Sequence, residues 1–230
     1  MKVIRVLLAG APAGWRRAKG DARESLRVLA AALVALALWV AAAVPAAAAV
    51  VSGTTGLLQV PSADVLPEGR LRLAAGFDGK GLVPSVTYGV FPALEAGVSS
   101  RSSGNAFVRV KFAVATETAA APGLAVGLED DSLYAVLSRR LSSPGMRVHV
   151  GIGSGRPGPV FAGLEYRLRS VAVTRADAAA VAPAVTLLVD YDGRAVALGA
   201  RLDFATGLTV SGGVRAGHGA VGAVEYGIHF

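Results

Sequence analysis

From Gly69 to Phe230 the sequence repeats one pattern: large apolar side chains at every second position, with small, polar or charged ones between them. GRLRLAAGF places Leu71, Leu73, Ala75 and Phe77 in one phase and Arg70 and Arg72 in the other. VTYGV, LEAGVSSR, AFVRVKFAV, GLAVGLE, MRVHVGIG, PVFAGLEYRLR, AVTLLVDY, AVALGARLDF and GLTVSGGVR behave alike, while SLYAVLSRRL leaves its phase open. The last segment, GAVGAVEYGIHF, sets Val224, Tyr226, Ile228 and Phe230 against Ala223, Glu225, Gly227 and His229. A period of two belongs to strands with two unlike faces and not to helices. Turn residues separate the segments, among them Asp78-Gly79, Pro144-Gly145, Pro157-Gly158 and Asp192-Gly193. The 162 residues from Gly69 to Phe230 give 13.5 residues per strand and turn for twelve strands. A tilted strand that crosses a membrane needs ~9–11 residues plus a turn. The reading is therefore all-β: a transmembrane, antiparallel, up-and-down barrel of about 12 strands, within the range 10–14. An even number lets both ends of the barrel domain, residues 69–230, lie on the periplasmic side.

Residues 1–49 read differently. Lys2, Arg5, Arg16, Arg17, Lys19, Arg23 and Arg27 precede the apolar run VLAAALVALALWVAAAV, which ends at Pro45 and a stretch of alanines. A basic region, an apolar region and an Ala-x-Ala site predict a secretory signal peptide cleaved near Ala49. An uncleaved anchor is the rival, although seventeen apolar residues are few for a span. The leader takes +5 of the formal charge of +7 with it, leaving 16 basic and 14 acidic residues from Val50 onward. The high pI is thus no argument for a nucleic-acid partner, and no nucleic-acid module is visible. There is no cysteine, hence no disulfide framework and no lipid-attachment site.

If the apolar phase meets lipid, the alternate phase lines a lumen. Its cations are Arg70, Arg72, Arg109, Lys111, Arg147, Arg167, Arg169, Arg201 and Arg215, and its carboxylates Glu95, Glu165, Asp190, Asp203 and Glu225. Nine against five leaves an interior excess of about +4, suited to steering anions. These residues are candidates for a ligand or ion path. Equally open is that they pair with one another and fill a narrow barrel. Tyr226, Ile228 and Phe230 carry the expected membrane-insertion signal. Catalysis is not expected. His149, His218 and His229 are the only histidines, no serine lies in an elbow motif, and no spacing predicts a triad. No metal site and no cofactor are expected either.

Residues 50–68, VVSGTTGLLQVPSADVLPE, read as a loop or a short plug-like lead-in. Gly53-Thr54-Thr55-Gly56-Leu57-Leu58, then Val60-Pro61-Ser62-Ala63, then Leu66-Pro67-Glu68-Gly69 resemble the amino-terminal signature of YjbH-like outer-membrane proteins associated with exopolysaccharide production. Tyr88-Gly89-Val90 and Leu94-Glu95-Ala96-Gly97 are similar to that family as well. The resemblance covers residues 53–100 and implies an outer-membrane barrel. It implies a non-enzymatic role in export, passage or surface organisation of polysaccharide, and the cationic lumen phase suits an acidic one. The expected partners are outer-membrane lipid, the barrel assembly machinery and acidic polysaccharide. The alternative is a soluble or anchored periplasmic β-sandwich that binds a carbohydrate or protein partner. Leu164, Tyr166, Leu202, Phe204, Tyr226 and Phe230 separate the two: exposed in a belt for the barrel, buried together for the sandwich.

Overall fold

The structure, a computed structural model, describes residues 50–101, 104–168 and 183–230. It contains twelve strands: β1 (Arg70–Phe77), β2 (Leu82–Phe91), β3 (Leu94–Ser100), β4 (Ala106–Ala115), β5 (Gly123–Glu129), β6 (Ser132–Arg140), β7 (Met146–Gly153), β8 (Val160–Arg167), β9 (Ala184–Tyr191), β10 (Val196–Asp203), β11 (Leu208–Arg215) and β12 (Gly219–His229). Each pairs antiparallel with its sequence neighbour, and β1 closes on β12 with Arg70 opposite His229 and Phe77 opposite Gly222. Closure removes every free strand edge, which a sandwich of two sheets would keep. The sandwich alternative is thereby overturned.

The alternation becomes inside and outside. Every strand presents at least one exposed large apolar residue, from Leu73 on β1 through Val150 on β7 to Val224 on β12. Of the six diagnostic residues, Tyr166 and Phe230 are exposed, while Leu164, Leu202, Phe204 and Tyr226 are half-covered by their neighbours. None is buried, as an outer belt requires. The undecided strand β6 resolves with Leu133 and Leu137 outward and Tyr134, Val136 and Ser138 inward. The link between β8 and β9 joins strand ends at the mouth that also holds Arg70 and Phe230, and the count of twelve stands. That end is called the near mouth and the opposite end the far mouth.

Residues 50–68 fill the barrel. Val50, Val51, Leu57, Leu58, Val60 and Leu66 are all buried. The segment folds on itself: Leu57 N donates to Val60 O at 3.0 Å, Ser62 N to Thr55 O at 3.1 Å, and Val51 N to Leu58 O at 3.0 Å. Val51 packs with Val83 and Val221, close to the β1–β2 and β11–β12 turns of the far mouth. The chain then descends to Gly69, whose carbonyl accepts from Phe230 N at the near mouth. Two wall glycines admit it. A Cβ at Gly76 would lie 2.2 Å from Val51 O, and one at Gly89 1.9 Å from Pro67 O. The barrel begins and ends at the near mouth as expected, but Val50 lies at the far mouth, because the plug threads the lumen lengthwise.

The interior has two sectors. On β1 to β4 and β12 it is charged, with Arg72, Glu95, Arg109, Lys111 and Glu225 all buried. Across β5, β6 and β8 to β10 it also has an apolar patch, set among charged groups such as Asp190: Ala125, Tyr134, Val136, Phe161, Leu188 and Ala197 form one core with Leu57, Leu58, Val60 and Ala63 of the plug. Full burial of one such aliphatic side chain contributes about 1.5–3 kcal/mol, so the plug is anchored by a hydrophobic core inside the barrel.

Candidate functional site

The candidate site is the lumen and the segment it holds. Thr55 is its polar centre. Glu95 Oε1 accepts from Thr55 N at 3.1 Å, and Oε2 from Thr55 Oγ1 at 2.6 Å and from Leu66 N at 2.7 Å. Lys111 Nζ lies 3.3 Å from Glu95 Oε1 and donates to Thr55 O at 2.8 Å and Ser62 O at 3.3 Å. Arg72 Nη2 donates to Gly53 O at 3.1 Å and Thr55 Oγ1 at 2.9 Å, and its Nη1 stands 3.9 Å from Glu225 Oε2. Arg109 Nη2 donates to Thr87 Oγ1 at 3.1 Å, and its Nη1 reaches Thr54 Oγ1 at 3.4 Å. Buried charges persist only when paired and hydrogen-bonded, and here the plug backbone supplies much of that solvation.

Asp190 performs the same task on the opposite wall. Its Oδ2 accepts from Leu58 N at 3.0 Å, Gln59 N at 2.7 Å and Val60 N at 3.4 Å. Successive N–H groups converging on one oxygen make an anion-binding nest, here occupied by a wall carboxylate. Towards the near mouth Arg147 grips Asp64, with Nη2 to Oδ1 at 2.9 Å, and its Nε reaches Glu117 Oε2 at 2.9 Å. Burial alone would raise the Asp64 carboxyl, but the Arg147 fork outweighs it and holds the group down at about 2. Arg201 donates to Gly56 O at 3.3 Å and Glu165 Oε1 at 3.3 Å, and Asp203 accepts from Thr209 Oγ1 at 3.0 Å.

The lumen-lining expectation thus gathers most of its residues around the plug: Arg72, Glu95, Arg109, Lys111, Arg147, Glu165, Arg201 and Glu225. Asp203 lies on the wall beside them. Arg215 lies apart at the far mouth, paired with Asp192 at 2.6 Å. Arg70 is half-buried and Arg167 exposed, both at strand ends of the near mouth. Arg169 lies outside the described residues, as does the leader 1–49. Of the insertion-signal residues, Tyr226 and Ile228 are half-buried and Phe230 is 77 % exposed.

One contact has no counterpart in the sequence spacing. Ser138 Oγ and His149 Nδ1 are 2.8 Å apart, and Glu165 Oε1 lies 4.0 Å from His149 Nε2. Both Ser138 and His149 are fully buried, and Ala63 N of the plug already donates to Ser138 Oγ at 2.8 Å. A nucleophile needs room for its electrophile, and the plug occupies that room. Among the described residues, no group of three or more His, Asp and Glu side chains is placed to hold a metal ion. The alternation does not announce the apolar patch, because Phe161 and Leu188 fall in the phase otherwise held by small and polar residues.

Among curated proteins the sequence finds no significant match. The fold is similar to that of a solved structure described as KdgM porin in complex with disordered oligogalacturonate, at a TM-score of 0.50 and 8 % sequence identity, covering 70 % of this chain and 99 % of that one. That likeness is one of fold. The family model YjbH, described as exopolysaccharide biosynthesis protein YbjH, matches residues 50–165. The match begins at the first residue of the plug and runs into β8, so it takes in the plug and the β1–β4 wall that grips it: the chain belongs to the YjbH exopolysaccharide biosynthesis family.

Proposed function

We propose that this protein is an outer-membrane barrel with its near mouth in the periplasm, and that it serves the passage or surface organisation of acidic polysaccharide without chemistry of its own. The observation that carries the reading is the combination of a lipid-type exterior with a charged, plugged interior that buries arginine and lysine side chains, in a chain of an exopolysaccharide family. A belt of apolar side chains on all twelve strands finds its natural solvent in a bilayer. Arginine and lysine inside suit carboxylated sugars, and the similar porin fold was solved with an acidic oligosaccharide. In the described state the plug closes the lumen. Passage through it requires the plug to leave, whereas a surface role does not.

The leader belongs to the same proposal. Val50 is 3 % exposed inside the far mouth. Cleavage near Ala49 would free Val50 to fold into the barrel with the rest of the plug. Phe230, exposed beside Gly69, would be read by the assembly machinery before the strands close. The non-enzymatic part rests on the sealed surroundings of Ser138 and His149. The test is fractionation: the protein should sediment with outer membranes, carry Val50 as its first residue, and shift in detergent gels on heating. Recovery from the soluble periplasm contradicts the proposal.

A further inference from the structure

The far mouth holds a vestibule of about 460 Å³. Its floor is the plug, through Val50, Val51, Ser52 and Gln59, and its walls are the far-mouth turns and the end of β11. Five cationic side chains line it, Lys80, Arg101, Arg156, Arg194 and Arg215, against three carboxylates, Asp78, Glu129 and Asp130. The carboxylates are committed. Asp78 Oδ1 accepts from Lys80 N and Gly81 N within its own turn, Glu129 Oε2 accepts from Thr54 Oγ1 at 3.1 Å, and Asp130 pairs with Arg101.

The cations are largely not committed. Among the described residues, none lies within hydrogen-bond or ion-pair distance of the Lys80 ammonium or the Arg156 guanidinium, although Arg156 feels the charge of Glu129. Among the described residues Arg194 reaches only Gly155 O, at 3.4 Å. Arg215 is 3 % exposed; its Nη2 binds Asp192 Oδ2 at 2.6 Å, while its Nε and Nη1 have no acceptor among the described residues. Gln59 Nε2, on the floor, has none either. Buried donors without acceptors are rare, and charged ones more so. Asp192 cannot supply more, because its Oδ1 already accepts from Arg194 N and Ala195 N.

We propose that this vestibule is a binding site for carboxylated sugar units, with Arg215 as the buried anchor and Arg156 and Arg194 closing on the carboxylates from the neighbouring turns. The inference rests on the polysaccharide reading above and moves the contact from the sealed lumen to the far mouth. The volume falls within the ~300–1,000 Å³ of small-ligand sites and exceeds what a single inorganic anion fills. Val50, Val83, Phe107 and Pro157 add apolar surface for the CH faces of pyranose rings. Guanidinium groups match carboxylates in geometry and keep their charge.

The test is calorimetry on the intact protein in detergent at low salt, with trigalacturonate, neutral maltotriose and inorganic phosphate as probes. Trigalacturonate should bind saturably, maltotriose not at all, and phosphate at least about tenfold more weakly. Arg215→Gln should abolish binding. Because that change also strips Asp192 of its partner, the surface pair Arg156→Gln/Arg194→Gln carries the decision. It should weaken trigalacturonate by at least about tenfold, as expected for losing two charge-assisted contacts, with heat-shifted migration retained. Equal binding of trigalacturonate and maltotriose, phosphate binding as tightly as the saccharide, or an unchanged affinity in the double variant would each overturn the site. Failure of the barrel reading shows separately, as loss of outer-membrane sedimentation in the unsubstituted protein.

Discussion

Glu95 and Lys111 stand side by side on β3 and β4, 3.3 Å apart, and both hold the same residue of the plug. The carboxylate takes the amide and hydroxyl of Thr55, and the ammonium takes its carbonyl. A wall ion pair thus treats one backbone unit as its missing solvent. The pair is fully shielded, so neither member can lose the other without leaving a buried charge alone.

That relationship predicts a large effect from a small change. Glu95→Ala removes three acceptor contacts to the plug and strands Lys111. Breaking a buried pair from one side costs about 3–5 kcal/mol. Denaturant unfolding in detergent should show a loss of that order, and limited proteolysis should cut within residues 53–66 before the barrel. Thr55→Val, which removes the hydroxyl alone, should cost about 1–2 kcal/mol in the same assay.

The exterior makes an independent prediction. Val150 is exposed midway along β7. Val150→Arg should cost about 2–4 kcal/mol in lipid, as expected for a cation near the bilayer midplane. The measurement is reversible unfolding from lipid vesicles. The same change at Asp131, in a far-mouth turn, should be close to neutral.

Sidedness can be read chemically, since the chain has no native cysteine. Asp131 lies in the turn between β5 and β6 at the far mouth, and Ala205 in the turn between β10 and β11 at the near mouth; both are exposed. An impermeant maleimide added to whole cells should label Asp131→Cys and leave Ala205→Cys unreacted until the cells are opened. The reverse pattern would invert the orientation proposed here.

The Asp64–Arg147 fork sets a pH dependence. The ordinary value for this carboxyl is 3.8 and the folded one about 2. A depressed carboxylate contributes its full stability above the unfolded value and loses it as pH falls through the folded one. The plug should therefore resist release down to about pH 4 and loosen progressively towards pH 2, with Asp64→Asn abolishing that part of the profile. Asp64 is partly exposed, so the effect is small. Protease protection of residues 63–68 between pH 5 and pH 2 measures it.

Much of this fold is legible in the sequence because its physics is local. Alternation such as Val108, Val110, Phe112 against Arg109, Lys111 fixes a strand and its two faces without reference to any other segment. Turn residues fix where strands end, and the closing strand follows from Val224, Tyr226, Ile228 and Phe230. What stayed hidden depends on distant residues meeting. Nothing near Thr55 in sequence announces that Glu95, Lys111 and Arg72 converge on it. Asp190 looks like one more lumen carboxylate until three plug amides are found pointing at it. Phe161 and Leu188 carry no mark that their inward phase builds a core, because that core needs Leu57 and Leu58 from the plug. Lys80, Arg156 and Arg194 lie in turns, where strand periodicity says nothing about which way a side chain faces.

The arrangement predicts that residues 50–66 stopper a barrel that would otherwise conduct. Planar-bilayer recording tests it most directly, comparing the intact protein with a variant lacking residues 53–66, both first shown to shift on heating in detergent gels. The intact protein should be electrically silent, and the shortened one should give steady, anion-preferring channels lined by Arg72, Arg109 and Lys111. Steady conductance from the intact protein, or silence from a correctly folded shortened one, would contradict the account.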